Sequence, residues 1–118
     1  MAYCSFEDLE VWKRACRVAV SIYEVLSDCR DYGLRDQMTR AAVSIAANIA
    51  EGAERNSPGE YIHFLHIAKG SAAEPRTQLD IAQRIGILDH KTQTALTDEL
   101  KSFSPMLHAL IKSLKPKT

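Results

Sequence analysis

The spacing with the most recognisable chemistry in this chain is Glu60-x-x-His63. On a helix these two side chains project from one face, as in the four-helix bundles that hold two iron ions. Such a site needs a second Glu-x-x-His pair and two further inward carboxylates, and the sequence contains no second pair. His66, His90 and His108 fit no ligand pattern and are expected at the surface. We therefore expect no metal site and no cofactor.

Nucleophilic catalysis is not indicated either. No serine stands in a nucleophile-elbow context, no glycine loop suggests phosphate binding, and no Cys/His pair follows from spacing. Cys4, Cys16 and Cys29 are odd in number and form no CxxC pair, which argues against a disulfide framework or a zinc knuckle. The first ten residues lack the features of a signal peptide, and no apolar run approaches the ~20 residues of a membrane span. We expect a cytoplasmic protein that is not an enzyme, has no small-molecule substrate and does not enter a membrane.

The remaining polar constellation is a stripe on the helix predicted over residues 34–55. At about 100° per residue, one narrow face collects five polar side chains. They are Arg40, Ser44, Asn48, Glu51 and Arg55. Two interpretations stay open. In the structural one, which we favour, the stripe forms a buried hydrogen-bonded network with Ser71 and Glu74, centred on Asn48. In the functional one, Arg40 and Arg55 line an anion or RNA groove.

The rest of that helix is apolar nearly all round, so it has no ordinary solvent face. A helix of this kind is normally buried on both sides. One apolar side consists of Leu34, Met38, Ala41, Ala42, Ile45 and Ile49. The other consists of Val43, Ala46, Ala47 and Ala50. Because small side chains permit close helix approach, we expect this second side to be an interface between subunits of a homo-oligomer.

Apolar periodicity predicts one domain, residues 1–118, with helices at about 6–27, 33–54, 58–85 and 90–114. Ser57 and Asp89 are expected as N-caps and Gly86 as a C-cap. Pro75 and Pro105 should bend their helices without ending them, because the apolar stripe resumes beyond each. In helix 1 the expected inward side is Leu9, Trp12, Cys16, Ala19, Tyr23 and Leu26. The fold class is all-α, an antiparallel up-down four-helix bundle.

The charge pattern is neutral overall but uneven. Net charge is +0, while residues 61–118 carry 8 Lys or Arg against 5 Asp or Glu. Lys112, Lys115 and Lys117 at the C-terminal end, together with Arg55, form the candidate contact for a nucleic acid.

Three segments carry a resemblance to a known family. They are FEDLEVWKRA (6–15), GLRDQMTRAAVSIAANIAEGAER (33–55) and FLHIAKGSAAEPRTQLDIA (64–82). The chain resembles the four-helix-bundle proteins encoded in 23S rRNA intervening sequences, also described as a suspected ribosomal protein, and the related accessory proteins of diversity-generating retroelements. The resemblance implies a bacterial cytosolic protein that forms a ring of five bundles, in a family with no known enzymatic activity.

Two functions remain open on these grounds. The first is an oligomeric accessory module for RNA or a ribonucleoprotein. The second is a protein–protein scaffold or assembly module with no nucleic-acid role.

Overall fold

The computed structural model describes residues 5–116, and within that range the chain contains helices and no strand. A short 3-10 turn, Phe6–Asp8, leads into six helices. These are α1 (Glu10–Val25), α2 (Tyr32–Ala53), α3 (Pro58–Ser71), α4 (Ala73–Arg84), α5 (His90–Lys101) and α6 (Phe103–Leu114). Cys4 and Lys117, which the sequence analysis named, lie outside the described residues.

The helix ends follow the predicted capping residues. Before α3, the Ser57 hydroxyl accepts a hydrogen bond from the Glu60 amide at 3.2 Å. Before α5, the Asp89 carboxylate accepts one from the Thr92 amide at 2.7 Å. After α4, Gly86 adopts a φ of 85°, which side chains other than hydrogen disfavour. The Ile87 amide then reaches back to the Ala82 carbonyl at 2.9 Å, the bond of a Schellman motif. All three predicted caps are confirmed.

The two internal prolines interrupt their helices without ending them. α3 and α4 are separated by Ala72 alone, and α5 and α6 by Ser102 alone; each lies three residues before a proline. Both keep right-handed helical dihedral angles, with φ and ψ of −69° and −20° at Ala72 and −64° and −20° at Ser102. Proline has no amide hydrogen and its ring clashes with the carbonyl four residues earlier. The six helices therefore form four rods: α1, α2, α3–α4 and α5–α6.

The rods pack as a helical bundle around one apolar core, in a molecule 51 Å long and about 20 Å across. α2 contacts α1 and α3, and α6 contacts α3, α5 and α1. The largest fully buried side chains include Phe103, Ile22, Met38, Leu65 and Leu107. No helix of the described part is both long and apolar enough to cross a membrane.

The inward face of α1 follows the predicted one except at Tyr23. Ala19 and Leu26 are buried, and Leu9, Trp12 and Cys16 pack against the core. The buried residues of α1 are Val11, Ala15, Val18, Ala19 and Ile22, followed by Leu26. Tyr23, which was expected inside, has 62% of its surface exposed. The helix carries apolar residues on more than half of its circumference, so spacing alone allowed two overlapping stripes. The core uses the stripe of smaller aliphatic side chains, and Tyr23 lies at its outer border.

Candidate functional site

The predicted buried polar network is not present within one chain. No polar or charged residue of the described part is buried. The Asn48 amide donates to the Ser44 carbonyl at 2.8 Å, and the Ser44 hydroxyl donates to the Ala41 carbonyl at 2.7 Å. Both bonds stay on α2, because serine and asparagine can satisfy themselves on their own helix backbone. Within the described part of one chain the stripe therefore forms no network between helices, and a network at subunit contacts stays a prediction.

The partners expected on the next rod do not complete such a network. Glu74 borders a shallow pocket together with Arg40 and Ser44, but its carboxylate accepts from the Gln78 amide at 3.4 Å. Among the described residues no ion pair joins Arg40 to Glu74, and Ser71 makes no side-chain hydrogen bond. Arg40 is exposed.

The lower part of the stripe forms the pair that its spacing predicted. Arg55 Nη2 lies 2.8 Å from Glu51 Oε1. The same guanidinium lies 4.8 Å from the centre of the Phe64 ring, a cation–π contact with α3. The charge of Arg55 is thus engaged at the α2–α3 junction. Arg55 does not line the cleft that contains Lys112 and Lys115, so it is not part of one cluster with them.

Four apolar side chains mark the outer surface of α1 and α2. Val20 and Tyr23, three residues apart on α1, are 57% and 62% exposed, and Val43 on α2 is 49% exposed. Ala47, one turn beyond Val43, is exposed as well. We name these four residues the outer face. Apolar side chains are usually buried, so a group of exposed ones is typical of an interaction surface.

A groove of about 670 Å³ lies between α1 and α2 within this surface. It is lined by Tyr23, Arg35, Asp36, Thr39, Arg40, Val43 and Ser44. The polar stripe and the predicted interface side of α2 are therefore neighbours on one exposed surface, whereas the sequence analysis treated them as separate.

Two of the predicted interface residues have other environments. Ala46 is only 9% exposed and belongs to the core of its own chain, and Ala50 is half-buried. Ala46 therefore offers little surface to a partner, since its side chain packs in the core.

A second concave site lies between α3 and α6. A cleft of about 350 Å³ is lined by His66 on α3 and by His108, Ile111, Lys112 and Lys115 on and just after α6. Ile111 is buried and forms an apolar floor, while the four basic side chains are exposed. We name these four the basic cleft. Steps of four and three residues place His108, Lys112 and Lys115 on one side of α6.

The charges of the basic cleft are not balanced by acids. Its described lining contains no Asp or Glu. None of its four basic side chains makes a hydrogen bond or an ion pair within the described part of the chain. Several carboxylates instead pair within their own helices, such as Glu10 with Arg14 and Asp80 with Arg84. A chain with no net charge therefore has a locally positive surface.

The sequence analysis identified the lysines of this cleft but not the histidines. His66 and His108 were expected at the surface, which is confirmed, but they belong to different rods. Sequence spacing does not say which rods are neighbours. The sequence offered one signal for a histidine in this cleft. His108 stands one turn before Lys112, which puts both on the same side of α6.

The chemistry that these sites support is binding. The basic cleft offers ammonium and imidazole donors, which suit phosphate or carboxylate oxygens. Within residues 5–116 no group of three His, Cys, Asp or Glu side chains could hold a metal ion. Burial raises the pKa of the Cys16 thiol, so its nucleophilic thiolate form is disfavoured.

Comparison with known proteins gives the family. The family described as 23S rRNA-intervening sequence protein matches residues 7–109. A crystal structure of a protein with unknown function from the S23 ribosomal protein family of Bacteroides thetaiotaomicron VPI-5482 is similar in fold. Its TM-score is 0.79 at 24% sequence identity, over 86% of this chain and 98% of that one. No curated protein matches. Since the family match spans most of the sequence, the chain belongs to the 23S rRNA-intervening sequence protein family.

Proposed function

We propose that this protein is a non-enzymatic, self-assembling bundle that serves as an accessory module for RNA or a ribonucleoprotein in the cytoplasm. The observation that carries the proposal is the outer face, because α2 has apolar side chains both in the core and on the surface. A second copy of the chain is the partner we assign to that face. The basic cleft is the surface we assign to RNA.

The outer face suits another copy of this chain for two reasons. Val43 and Ala47 are small enough to let a second helix approach closely, and Tyr23 supplies a large amphipathic ring of a type enriched in interfaces. Arg35, Asp36 and Arg40 surround these apolar residues, which resembles the polar rim of a protein interface. The proposed architecture within each subunit is an antiparallel up-down bundle, which the short connections between the rods favour.

A ring is the proposed form of the assembly, with five subunits. A ring requires that two different surfaces of each subunit meet. α4 offers a second exposed apolar pair, Ile81 and Ile85, which are 46% and 59% exposed and lie one turn apart.

Repetition around a ring gives the basic cleft its proposed role. One cleft contributes four basic side chains, which is a small patch for a polymer of phosphates. An RNA that reaches several clefts binds them with a gain of orders of magnitude over a single contact. This arrangement reconciles a neutral subunit with binding to a polyanion.

Sedimentation equilibrium tests the assembly. We expect a mass near five times 13.2 kDa for the natural chain. Ala47→Glu places a charge in the centre of the outer face and should shift the mass toward 13.2 kDa. Ala95→Glu, at an exposed position of α5, is the matched control and should leave the mass unchanged. A monomer at micromolar concentration for the natural chain would overturn the assembly.

Filter binding of structured RNA at two salt concentrations tests the second half of the proposal. Phosphate contacts give a steep loss of affinity with salt. Lys112→Gln with Lys115→Gln should weaken binding and flatten that dependence, while the sedimentation mass stays the same. The net charge of +0 favours the alternative, a protein–protein scaffold. An assembled protein that binds no RNA at low salt would establish that alternative.

A further inference from the structure

We propose that the basic cleft is a phosphate-binding site whose affinity is controlled by protonation of His66 and His108. The inference rests on the function proposed above only for the identity of the biological ligand. The site itself follows from the geometry of α3 and α6 and can be tested without RNA and without assembly.

The shape of the cleft fits a compact, highly charged group. His66 lines the cleft from α3, the other basic residues line it from α6 and the residue just after α6, and Ile111 adds an apolar side chain to the lining. A volume of about 350 Å³ is at the lower end of ligand pockets, which run from roughly 300 to 1,000 Å³. Four donors that converge from two helices match the several oxygens of a phosphate better than the two oxygens of a carboxylate.

The charged side chains that line the cleft with the two imidazoles are all of one sign. Within one helical turn of His66, the titratable residues of α3 are His63 and Lys69; within one turn of His108, Lys112 is the titratable residue of α6. α1, α2, α4 and α5 pack against α3 or α6, and none of them contributes a charged side chain to the described lining. An anion in the cleft therefore meets no carboxylate that would repel it.

Protonation sets the strength of the site. Histidine is the side chain that can gain a charge near neutral pH, and each protonated imidazole would add a positive charge to the cleft. Binding of an anion favours the protonated form, and affinity must fall as pH rises. Exposed ion pairs contribute less than about 1 kcal/mol each, so two histidines together correspond to roughly a tenfold change in affinity.

The test is a titration with inorganic pyrophosphate, followed by NMR of the histidine ring protons. The chain has four histidines, and His90 on α5 lies outside the cleft, so it is an internal reference. We expect the rings of His66 and His108 to shift on binding while His90 stays in place. Affinity should be about tenfold higher at about pH 6 than at about pH 8. Pyrophosphate becomes more negative over that range, so a fall in affinity has to originate in the protein.

Variants separate the histidines from the lysines. His66→Gln with His108→Gln keeps polar side chains but removes the imidazoles, so affinity should no longer fall as pH rises and should instead follow the increasing negative charge of pyrophosphate. Lys112→Gln with Lys115→Gln should weaken binding at both pH values. His90→Gln with Lys91→Gln removes the same types of charge from exposed positions of α5 and should change nothing. Equal NMR shifts of the His66 and His90 ring protons, or an affinity of the natural chain that does not change with pH, would overturn the proposal.

A second arm uses oligo-uridine in place of pyrophosphate and distinguishes the two sources of the phosphate group. If oligo-uridine binds with the same pH dependence, the occupant is an RNA backbone. If pyrophosphate alone binds, the occupant is a small phosphate compound and the RNA function is wrong while the site stands. If oligo-uridine binds without disturbing His66 and His108, the site is wrong while the RNA function stands.

Discussion

A Cβ atom at Gly52 would lie 2.7 Å from the Cβ atom of Phe64, closer than two such carbons approach in real proteins. The same atom would lie 3.2 Å from both the ring and the carbonyl oxygen of Tyr61. α2 and α3 therefore touch through the backbone of Gly52, which is buried. The contact also positions Phe64 beneath the guanidinium of Arg55. This close approach between two rods thus depends on one residue without a side chain.

Gly52→Ala should destabilise the fold, by about 1–3 kcal/mol, because the added methyl group forces α3 away from α2. Gly70→Ala is the matched control, since Gly70 is also helical and a Cβ atom there meets nothing within 4 Å. That change should stabilise the fold by up to about 1 kcal/mol through helix propensity alone. Urea unfolding of both variants measures the difference. Equal stabilisation by the two substitutions would contradict the close contact.

Most of the fold could be predicted because its signals are local. The capping hydrogen bonds at Ser57, Gly86 and Asp89 each join atoms no more than five residues apart, so the sequence spacing alone predicts each cap. The prolines behave similarly, since each disturbs a carbonyl four residues earlier. What could not be predicted was the rotation of α1 about its own axis, which decides which of its residues face the core. α1 carries two overlapping apolar stripes, and packing against α2 selected the one that leaves Tyr23 outside.

The candidate sites required information that spacing does not contain. His66 and Lys112 belong to different rods, and their proximity follows from the contact of α3 with α6. Within the polar stripe, the Glu51–Arg55 pair follows its spacing, but the contacts of Ser44 and Asn48 do not extend to another helix. Ser44 and Asn48 were assigned long-range partners, yet each finds an acceptor on its own helix.

Adjacent alanines on α2 provide a test of which side is inward. Ala46 lies in the core and Ala47 is exposed. Ala46→Glu would bury an unpaired carboxylate and should destabilise the fold by several kcal/mol. Ala47→Glu should leave the helical content unchanged. Far-UV circular dichroism and thermal melting of both variants measure this, and a loss of helix in the Ala47 variant alone would reverse the assignment.

Asn48 should matter little to the stability of a single subunit. Its amide donates to the Ser44 carbonyl on the same helix, and the residue is half-buried. Asn48→Ala loses that bond but gains helix propensity, so we expect a change below about 1 kcal/mol. The value for a single subunit comes from urea unfolding of Asn48→Ala in a chain that also carries Ala47→Glu, at a protein concentration where that chain is monomeric. A loss of about 3 kcal/mol or more would show that the amide has a structural role that the intrachain contacts do not explain.

The stability of the fold should decrease at acid pH because of Asp89. The hydrogen bond from the Thr92 amide, more than any neighbouring charge, holds the pKa of this carboxyl below its ordinary value of 3.8. The unfolded chain therefore takes up a proton at a higher pH than the folded chain does. The stabilisation is present in full well above pH 3.8 and is lost as pH falls through the pKa of the folded state.

Asp89→Asn separates this titration from the cap itself. Asparagine caps a helix about as well as aspartate, but it carries no ionisable group. We expect the natural chain to be the more stable of the two near neutral pH, where the charged carboxylate also interacts favourably with the N-terminus of α5. The difference should shrink as pH falls below 3.8 and through the pKa of the folded state, where the carboxylate becomes protonated. Urea unfolding of both proteins across this range measures the difference, and a gap that stays constant with pH would mean that the carboxylate charge contributes nothing to the cap.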